Sequence, residues 1–248
     1  MQLLFHTGTL YGKSSVANAT PQAFGTLQNV SIDLSWTTKE LFGQNNFPVA
    51  VGQGTCKITG KATTAQIQAR LFNDLFLNGT LSAGEVAVAV SEPGTVPAST
   101  SYTVSVVNVA TFVEDFEVKY AATGLPFIKV ASAPIIGQYS VAAGVFTFAA
   151  ADASASVLIS YTYTFASAGQ KVSLTQQLVG AAPVFSLVLG GGYGQGQKLP
   201  GIKLYACTGT KLSFATKQND FAMPGFEFMA FSNAAGQVLD WSTNDSAG

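Results

Sequence analysis

The residues that could carry acid–base or metal chemistry are few and scattered in this chain. The only histidine, His6, has no acidic residue or cysteine beside it in sequence. A single histidine excludes a multi-histidine metal site, and a Ser-His-Asp arrangement would rest entirely on this residue near the start of the sequence. Cys56 and Cys207 lie far apart, without the spacing of a zinc site or a redox pair. We expect both cysteines to be buried free thiols, and we predict no metal site.

The acidic residues also lack a pattern that indicates catalysis. The chain has 13 of them, and only Glu114, Asp115 and Glu117 form a tight group. We interpret Glu114 and Asp115 as part of a solvated loop rather than as the paired carboxylates of a glycoside hydrolase. Asp152 is not followed by the alternating acids of a calcium loop, so we expect it to stabilise a turn through a local side-chain contact.

A glycine-rich run at residues 190–198 superficially resembles a phosphate-binding loop. No Gly-Lys-Ser/Thr closes it and no capped helix follows, because Pro200 and Gly201 come next. We therefore predict a connection between two strands. With no nucleophile, base and orienting group to assemble, we predict that the chain is not an enzyme and has neither catalytic residues nor a cofactor.

Composition points instead to association. Hydrophobic residues make up 48% of the chain and charged residues only 10%, whereas about 25% charge is typical of soluble domains. A surface so poor in charge predicts extensive contact with neighbouring molecules. The net charge of −1 argues against a dedicated nucleic-acid binder. The sequence has no long apolar run and no signal-peptide pattern at its start, so we expect no membrane span and synthesis in the cytoplasm.

Short stretches of alternating apolar and polar residues, separated by turn residues, predict an all-β fold. In the first clear example, Val30, Ile32, Leu34 and Trp36 share one face of a strand, and this period leads us to expect Trp36 in the core. Further strands are predicted at residues 102–106, 116–120, 138–141, 145–148, 157–163 and 184–189.

One amphipathic helix is predicted over about residues 64–77. Thr63 or Thr64 is the candidate N-cap, and Asn78 with Gly79 provides a left-handed C-terminal cap. The face expected to cover a β-sheet consists of Ile67, Leu71, Phe72, Leu75 and Phe76.

A shift in composition divides the chain. Between residues 90 and 166, Ala, Ser and Val predominate. We interpret residues 90–166 as an inserted β module and residues 1–89 with 167–248 as the main β domain.

Three segments resemble the structural proteins of tailed bacteriophages, in particular tail tube (major tail) proteins. They are residues 40–62, which precede the predicted helix, residues 131–161 and residues 204–221. The resemblance covers much of the chain in pattern but contains no catalytic fingerprint. It implies a β-sandwich or distorted barrel of tail-tube type with one flanking α-helix.

The function implied by this resemblance is structural. Tail tube subunits form hexameric rings that stack around a lumen, which holds the tape measure protein and later conducts DNA into the host. We therefore expect a self-assembling virion protein of the tail, with a near-neutral channel that lets DNA pass without specific binding. The inserted module is expected either to decorate the outside of the tube or to contact a tail sheath.

The Gly-, Asn- and Pro-rich stretch at residues 43–54 is expected to be an extended loop that becomes ordered on docking against the next ring. Its candidate inter-subunit contact residues are Phe42, Gly43, Phe47, Pro48 and Val49.

Two other functions are compatible with the sequence. One is a capsid-decorating or other head- or tail-associated β protein, which would share the low charge and the strand content. The other is a carbohydrate-binding β-sandwich with an exposed aromatic platform, whose candidate residues are Trp36, Trp241, Tyr193 and Tyr205.

Overall fold

The computed structural model describes residues 8–190, 192–193, 197–198, 201–216 and 218–242. It confirms the predicted all-β fold, because nearly all its regular elements are strands and the sheets are almost entirely antiparallel. In chain order, the strands are β1 Thr9–Ser14, β2 Gln22–Ala23, β3 Leu27–Phe42, β4 Pro48–Thr64, β5 Thr80–Thr95, β6 Thr103–Ser105, β7 Phe112–Tyr120, β8 Ile128–Lys129, β9 Gln138–Ala142, β10 Val145–Phe148, β11 Ser156–Ser173, β12 Val184–Gly190, β13 Gly192–Tyr193, β14 Gln197–Lys198, β15 Gly201–Ser213, β16 Gly225–Phe231 and β17 Leu239–Ser242.

Helical structure is limited to short pieces. One α-helix, α1, spans Ala69–Phe72 and continues as a π-helical turn over Asn73–Leu77. Single 3₁₀ turns occur at Val109–Thr111 and Ala150–Asp152.

Contacts divide the chain into two compact units. Unit 1 comprises Met1–Leu81 and Val172–Gly248, and unit 2 comprises Ser82–Lys171. The boundaries expected at residues 89/90 and 166/167 fall inside β5 and β11. The change in amino-acid composition therefore lies within these two strands and does not mark the residues at which the two units divide.

Unit 1 is built on one large sheet with the strand order β2-β1-β12-β15-β16-β4-β3, and β17 pairs with the first residues of β15. Alternation along each strand directs one set of side chains into a shared core. This core is rich in aromatic rings, and Phe226 lies at its centre, stacked on Phe24 with ring centroids 4.6 Å apart. Phe72 and Phe76 also contact the Phe226 ring, so helix and sheet meet at this residue.

The predicted helix begins later than expected. Thr64 still belongs to β4, where its amide donates to the carbonyl of Pro224, and the amide of Ala65 donates to the carbonyl of Thr26. These bonds keep the chain extended until Gln68, so neither Thr63 nor Thr64 caps the helix. Ile67 consequently lies outside the helix and is exposed, contrary to the prediction.

The remainder of the helical face agrees with the sequence pattern. Leu71, Phe72 and Leu75 are buried in the core, and Phe76 is partly buried against it. The predicted left-handed cap is also confirmed, since Asn78 has φ +48° and donates its amide to the carbonyl of Asn73.

Unit 2 has its own core between two small sheets, with strand orders β5-β11-β7 and β6-β10-β9-β8. The predicted strand at residues 145–148 coincides with β10, and the other predicted strands of this region overlap β6, β7, β9 and β11. The core side chains are again largely aromatic and β-branched: Val118, Phe127, Tyr139, Phe146, Phe148, Val157, Ile159 and Tyr161.

Phe226→Ala should lower the free energy of unfolding by about 3–5 kcal/mol, because it removes the ring on which helix and sheet both pack and leaves a cavity. Urea denaturation followed by tryptophan fluorescence measures the change. Phe231→Ala is the matched control, since Phe231 ends the same strand but is 42% exposed. Equal losses in the two variants would contradict the central role of Phe226.

Candidate assembly surface

A two-stranded arm extends from the unit 1 sheet. The pairing of β4 with β16 covers Ile58 to Thr63, whereas its pairing with β3 continues to the contact between Phe42 and Pro48. On the Pro48 side of Ile58, the two strands therefore have only each other as partners among the described residues. We define residues 35–57 as the arm and the turn between its strands, with its flanking residues 42–49, as the tip.

Every residue of the arm is exposed. Many of these exposed side chains are large and apolar: Trp36, Leu41, Phe42, Phe47, Val49 and Val51. The prediction that Trp36 lies in the core is wrong, because β3 continues past the end of the unit 1 core and leaves this ring 48% exposed. Alternation identified the strand face correctly, but it could not show where the covering layer ends.

The five predicted contact residues lie together at the tip. Phe42 is paired with Pro48 across the hairpin, and Gly43 is closely approached by Val49, whose Cγ2 would lie 2.9 Å from a Cβ on Gly43. All five residues are exposed, and Phe47 is 76% exposed. The extended loop expected at residues 43–54 is instead a short turn followed by the first part of β4.

The outer part of the arm, residues 41–56, combines apolar side chains with a lack of charge. No ionisable side chain other than the thiol of Cys56 occurs between Glu40 and Lys57. A two-stranded ribbon without a covering layer is only marginally stable in water. The arm is therefore a surface whose folding would be strengthened by a partner that covers its apolar side chains.

The edges of the large sheet differ in length. β2, at one edge, has two residues, whereas β3, at the other, has 16. A long edge strand offers backbone groups to another chain, and proteins that stay monomeric usually shorten or cover such edges.

The acidic group of unit 2 is not a solvated loop. Asp115 lies in β7 with its side chain only 5% exposed, and it accepts hydrogen bonds from Lys129 Nζ at 2.6 Å and Tyr139 Oη at 2.7 Å. Burial alone would raise the pKa of Asp115, but these two hydrogen bonds hold it below its ordinary value of 3.8. Glu114 is exposed, as expected, although it lies in β7 and not in a loop, and Glu117 is also exposed.

Two further carboxylates accept hydrogen bonds from tyrosines in the same unit. Asp152 is buried and accepts from Tyr120 Oη at 2.6 Å and from the amide of Gly137 at 3.1 Å, so its contacts are long-range and not the local turn contact that we expected. Burial and the bond to Asp152 raise the pKa of Tyr120 to about 12. Tyr161 Oη donates to Glu92 at 2.6 Å. These pairs connect separate segments of unit 2, which is a structural role.

The two cysteines differ in environment. Cys207 is buried, as predicted, and burial raises the pKa of its thiol to about 12. Cys56 is exposed on the arm opposite Trp36, so the expectation that it is buried is wrong.

The other candidate chemistry gives no centre within the described residues. No group of three or more His, Cys, Asp or Glu side chains there is placed to hold a metal ion. His6 lies outside the described residues. The predicted connection at residues 190–198 is described only in part, as the paired strands β13 and β14.

None of the helices in the described part of the chain has the length and apolar character that a membrane-spanning helix requires.

The aromatic residues proposed as a sugar platform do not share one face. Trp241 has the same orientation as Ile202 and Leu239, whereas Tyr205, next to the buried Leu204, points to the opposite side of the sheet. Lys203 Nζ also lies 4.3 Å from the centre of the Tyr205 ring and covers it. The geometry therefore does not favour a carbohydrate platform.

Asp115→Asn should weaken unit 2 by roughly 1.5–3 kcal/mol at neutral pH, the usual contribution of hydrogen bonds to a charged group. Since the pKa of Asp115 is lowered by folding, its contribution is present above about pH 3.8 and is lost as the pH falls through the lower folded value. Hydrogen exchange of the β7 and β9 amides between pH 7 and pH 3 measures this contribution to the stability of unit 2. Glu117→Gln, at an exposed ion pair, should have little effect; similar effects of the two variants would contradict the assignment.

An aromatic disulfide reagent at pH 8 should modify Cys56 rapidly in the unassembled chain, whereas Cys207 should react only after unfolding, because its thiol is buried. Absorbance of the released thiolate gives both rates. Cys56→Ser should abolish the fast reaction, and a fast phase that persists in this variant would show that Cys207 is accessible.

Comparison with known proteins adds no assignment to this geometry. No family model matches the chain, and no curated protein sequence matches it.

Proposed function

We propose that this chain is a virion structural protein, the tail tube subunit of a tailed bacteriophage. The observation that carries the proposal is the exposed arm, whose tip is uncharged and contains the five residues predicted as inter-subunit contacts. In this role the chain binds copies of itself and needs no catalytic group or cofactor. It is made in the host cytoplasm and resides in the tail of the virion.

The energetics of the arm support self-association. Burying one large apolar side chain contributes roughly 1.5–3 kcal/mol, and the tip alone exposes Phe42, Phe47 and Val49. A free monomer would keep these side chains in water, where they favour uncontrolled aggregation. A closed assembly of identical copies would cover them in a defined way.

The sheet edge and the composition support the same proposal. A ring joined through sheet edges would give the long edge strand β3 a backbone partner and leave no edge open. Because contacts with neighbours would then cover much of the exterior, a charged fraction of 10% would be sufficient.

In the proposed assembly, hexameric rings stack around a lumen that holds the tape measure protein and later conducts DNA into the host. The near-neutral net charge of the chain fits a conduit, because a strongly basic wall would retain phosphates through counterion release. Unit 2 would lie on the outside of the tube or contact a tail sheath.

Phe47→Asp should raise the protein concentration needed for assembly at least tenfold, because it places a charge in an apolar contact; a tenfold change corresponds to about 1.4 kcal/mol. Negative-stain images and sedimentation of the purified chain measure assembly, with circular dichroism as the check on folding. Leu125→Asp is the matched control, since Leu125 is 62% exposed but lies in a turn of unit 2.

Rings or tubes formed by the unchanged chain would support the proposal. Discrete trimers would favour the alternative of a capsid-decorating or other head- or tail-associated protein. A chain that stays monomeric at high concentration, or equal effects of the two Asp variants, would contradict the role of the arm.

A further inference from the structure

Unit 1 carries an open apolar groove at the base of the arm. Ile32 and Leu34 of β3 form one wall, and Ile202 of β15 with Leu239 and Trp241 of β17 forms the other. The groove has a volume of about 240 Å³ and no ionisable residue in its lining. In the single chain Trp241 remains 69% exposed.

The groove is continuous with the hydrophobic core of unit 1, but it lies outside the part of that core that the helix covers. Ile32 and Leu239 pack against the core, and the helical side chains Leu71, Phe72 and Leu75 cover that core elsewhere. No helical residue lines the groove. Its inward-facing side chains therefore lack the layer that the helix provides for the rest of the sheet.

The tip of the arm has the chemistry and the size that suit this groove. Both surfaces present apolar side chains and carry no charge, so docking would leave no ionised group buried without a partner. A dry protein cavity of roughly 150 Å³ accepts a benzene molecule, as in a well-known lysozyme variant. A groove of about 240 Å³ therefore has room for a phenyl ring.

The tip cannot reach the groove of its own chain while the arm is a paired hairpin. Leu34 and Phe42 belong to the same continuous strand, β3. At roughly 3.3 Å per residue, the eight steps between them place the tip about 26 Å from the groove wall. A tip that occupies this groove must therefore come from a second copy.

We propose that the tip of one copy docks in the groove of the next, with Phe47, the most exposed of the apolar tip residues, as the entering ring. This proposal rests on the self-assembly proposed above and names the surface that receives the arm. Arm and groove are different surfaces, so the contact is heterologous, and each copy can donate one arm and receive another.

Cross-linking between separately purified variants tests the pairing. In a Cys56→Ser background, one population carries Phe47→Cys and the other Leu239→Cys, and a short bismaleimide is added after mixing. We expect covalent dimers in the mixture and none in either population alone. Asp240→Cys in place of Leu239→Cys is the matched control, since Asp240 lies on the opposite face of β17 and should not react with the tip.

A second measurement keeps the tip intact. The chain has two tryptophans, so Trp36→Phe leaves Trp241 as the only fluorophore. Assembly of this variant should shift the Trp241 emission to shorter wavelength by several nanometres and reduce iodide quenching severalfold, because the docked ring excludes water.

Sedimentation run in parallel separates the two proposals. Assembly without the Phe47–Leu239 cross-link and without the Trp241 shift would overturn the groove assignment and leave the tail tube proposal intact. Failure of the unchanged chain to assemble would overturn both. A cross-link within one chain that carries Phe5→Cys and Leu239→Cys would place the N-terminal segment in the groove and would also overturn the assignment.

Discussion

The point at which β4 loses its second neighbour determines the surface properties of unit 1. From Ile58 to Thr63 the strand lies between β3 and β16, and its apolar side chains enter a core shared with the helix. On the Pro48 side of Ile58, β3 and β4 pair only with each other among the described residues, and the same alternating pattern directs Trp36 and its neighbours into solvent. The same alternating pattern thus produces a buried sheet in one half of the hairpin and an exposed apolar ribbon in the other.

Strands were predictable because alternation is a local signal, and β6, β9, β10 and β12 lie where it indicates. The start of the helix was not predictable from a local signal, because tertiary hydrogen bonds from the amides of Thr64 and Ala65 hold the chain in a non-helical conformation past the apparent cap. Asp115 was missed for a related reason. A bulge in β7 between the partners of Ser160 and Tyr161 shifts the alternation by one residue, so an acid in an exposed-looking segment turns inward to Lys129 and Tyr139.

The candidate contact residues at the tip were named from composition and resemblance, whereas the groove could not be predicted from the sequence. Its walls come from Ile32 and Leu34 and from Ile202, Leu239 and Trp241, which are far apart in the chain. No local sequence pattern indicates a contact between segments that are so far apart in the chain.

A chain that carries its arm and its groove on different surfaces has a front and a back. If copies join through the proposed contact in an open series, they all point the same way, so one end of the series would display free arms and the other would display vacant grooves. Growth of such a series could then differ in rate at its two ends. Polarity of this kind would follow from the geometry of a single hairpin.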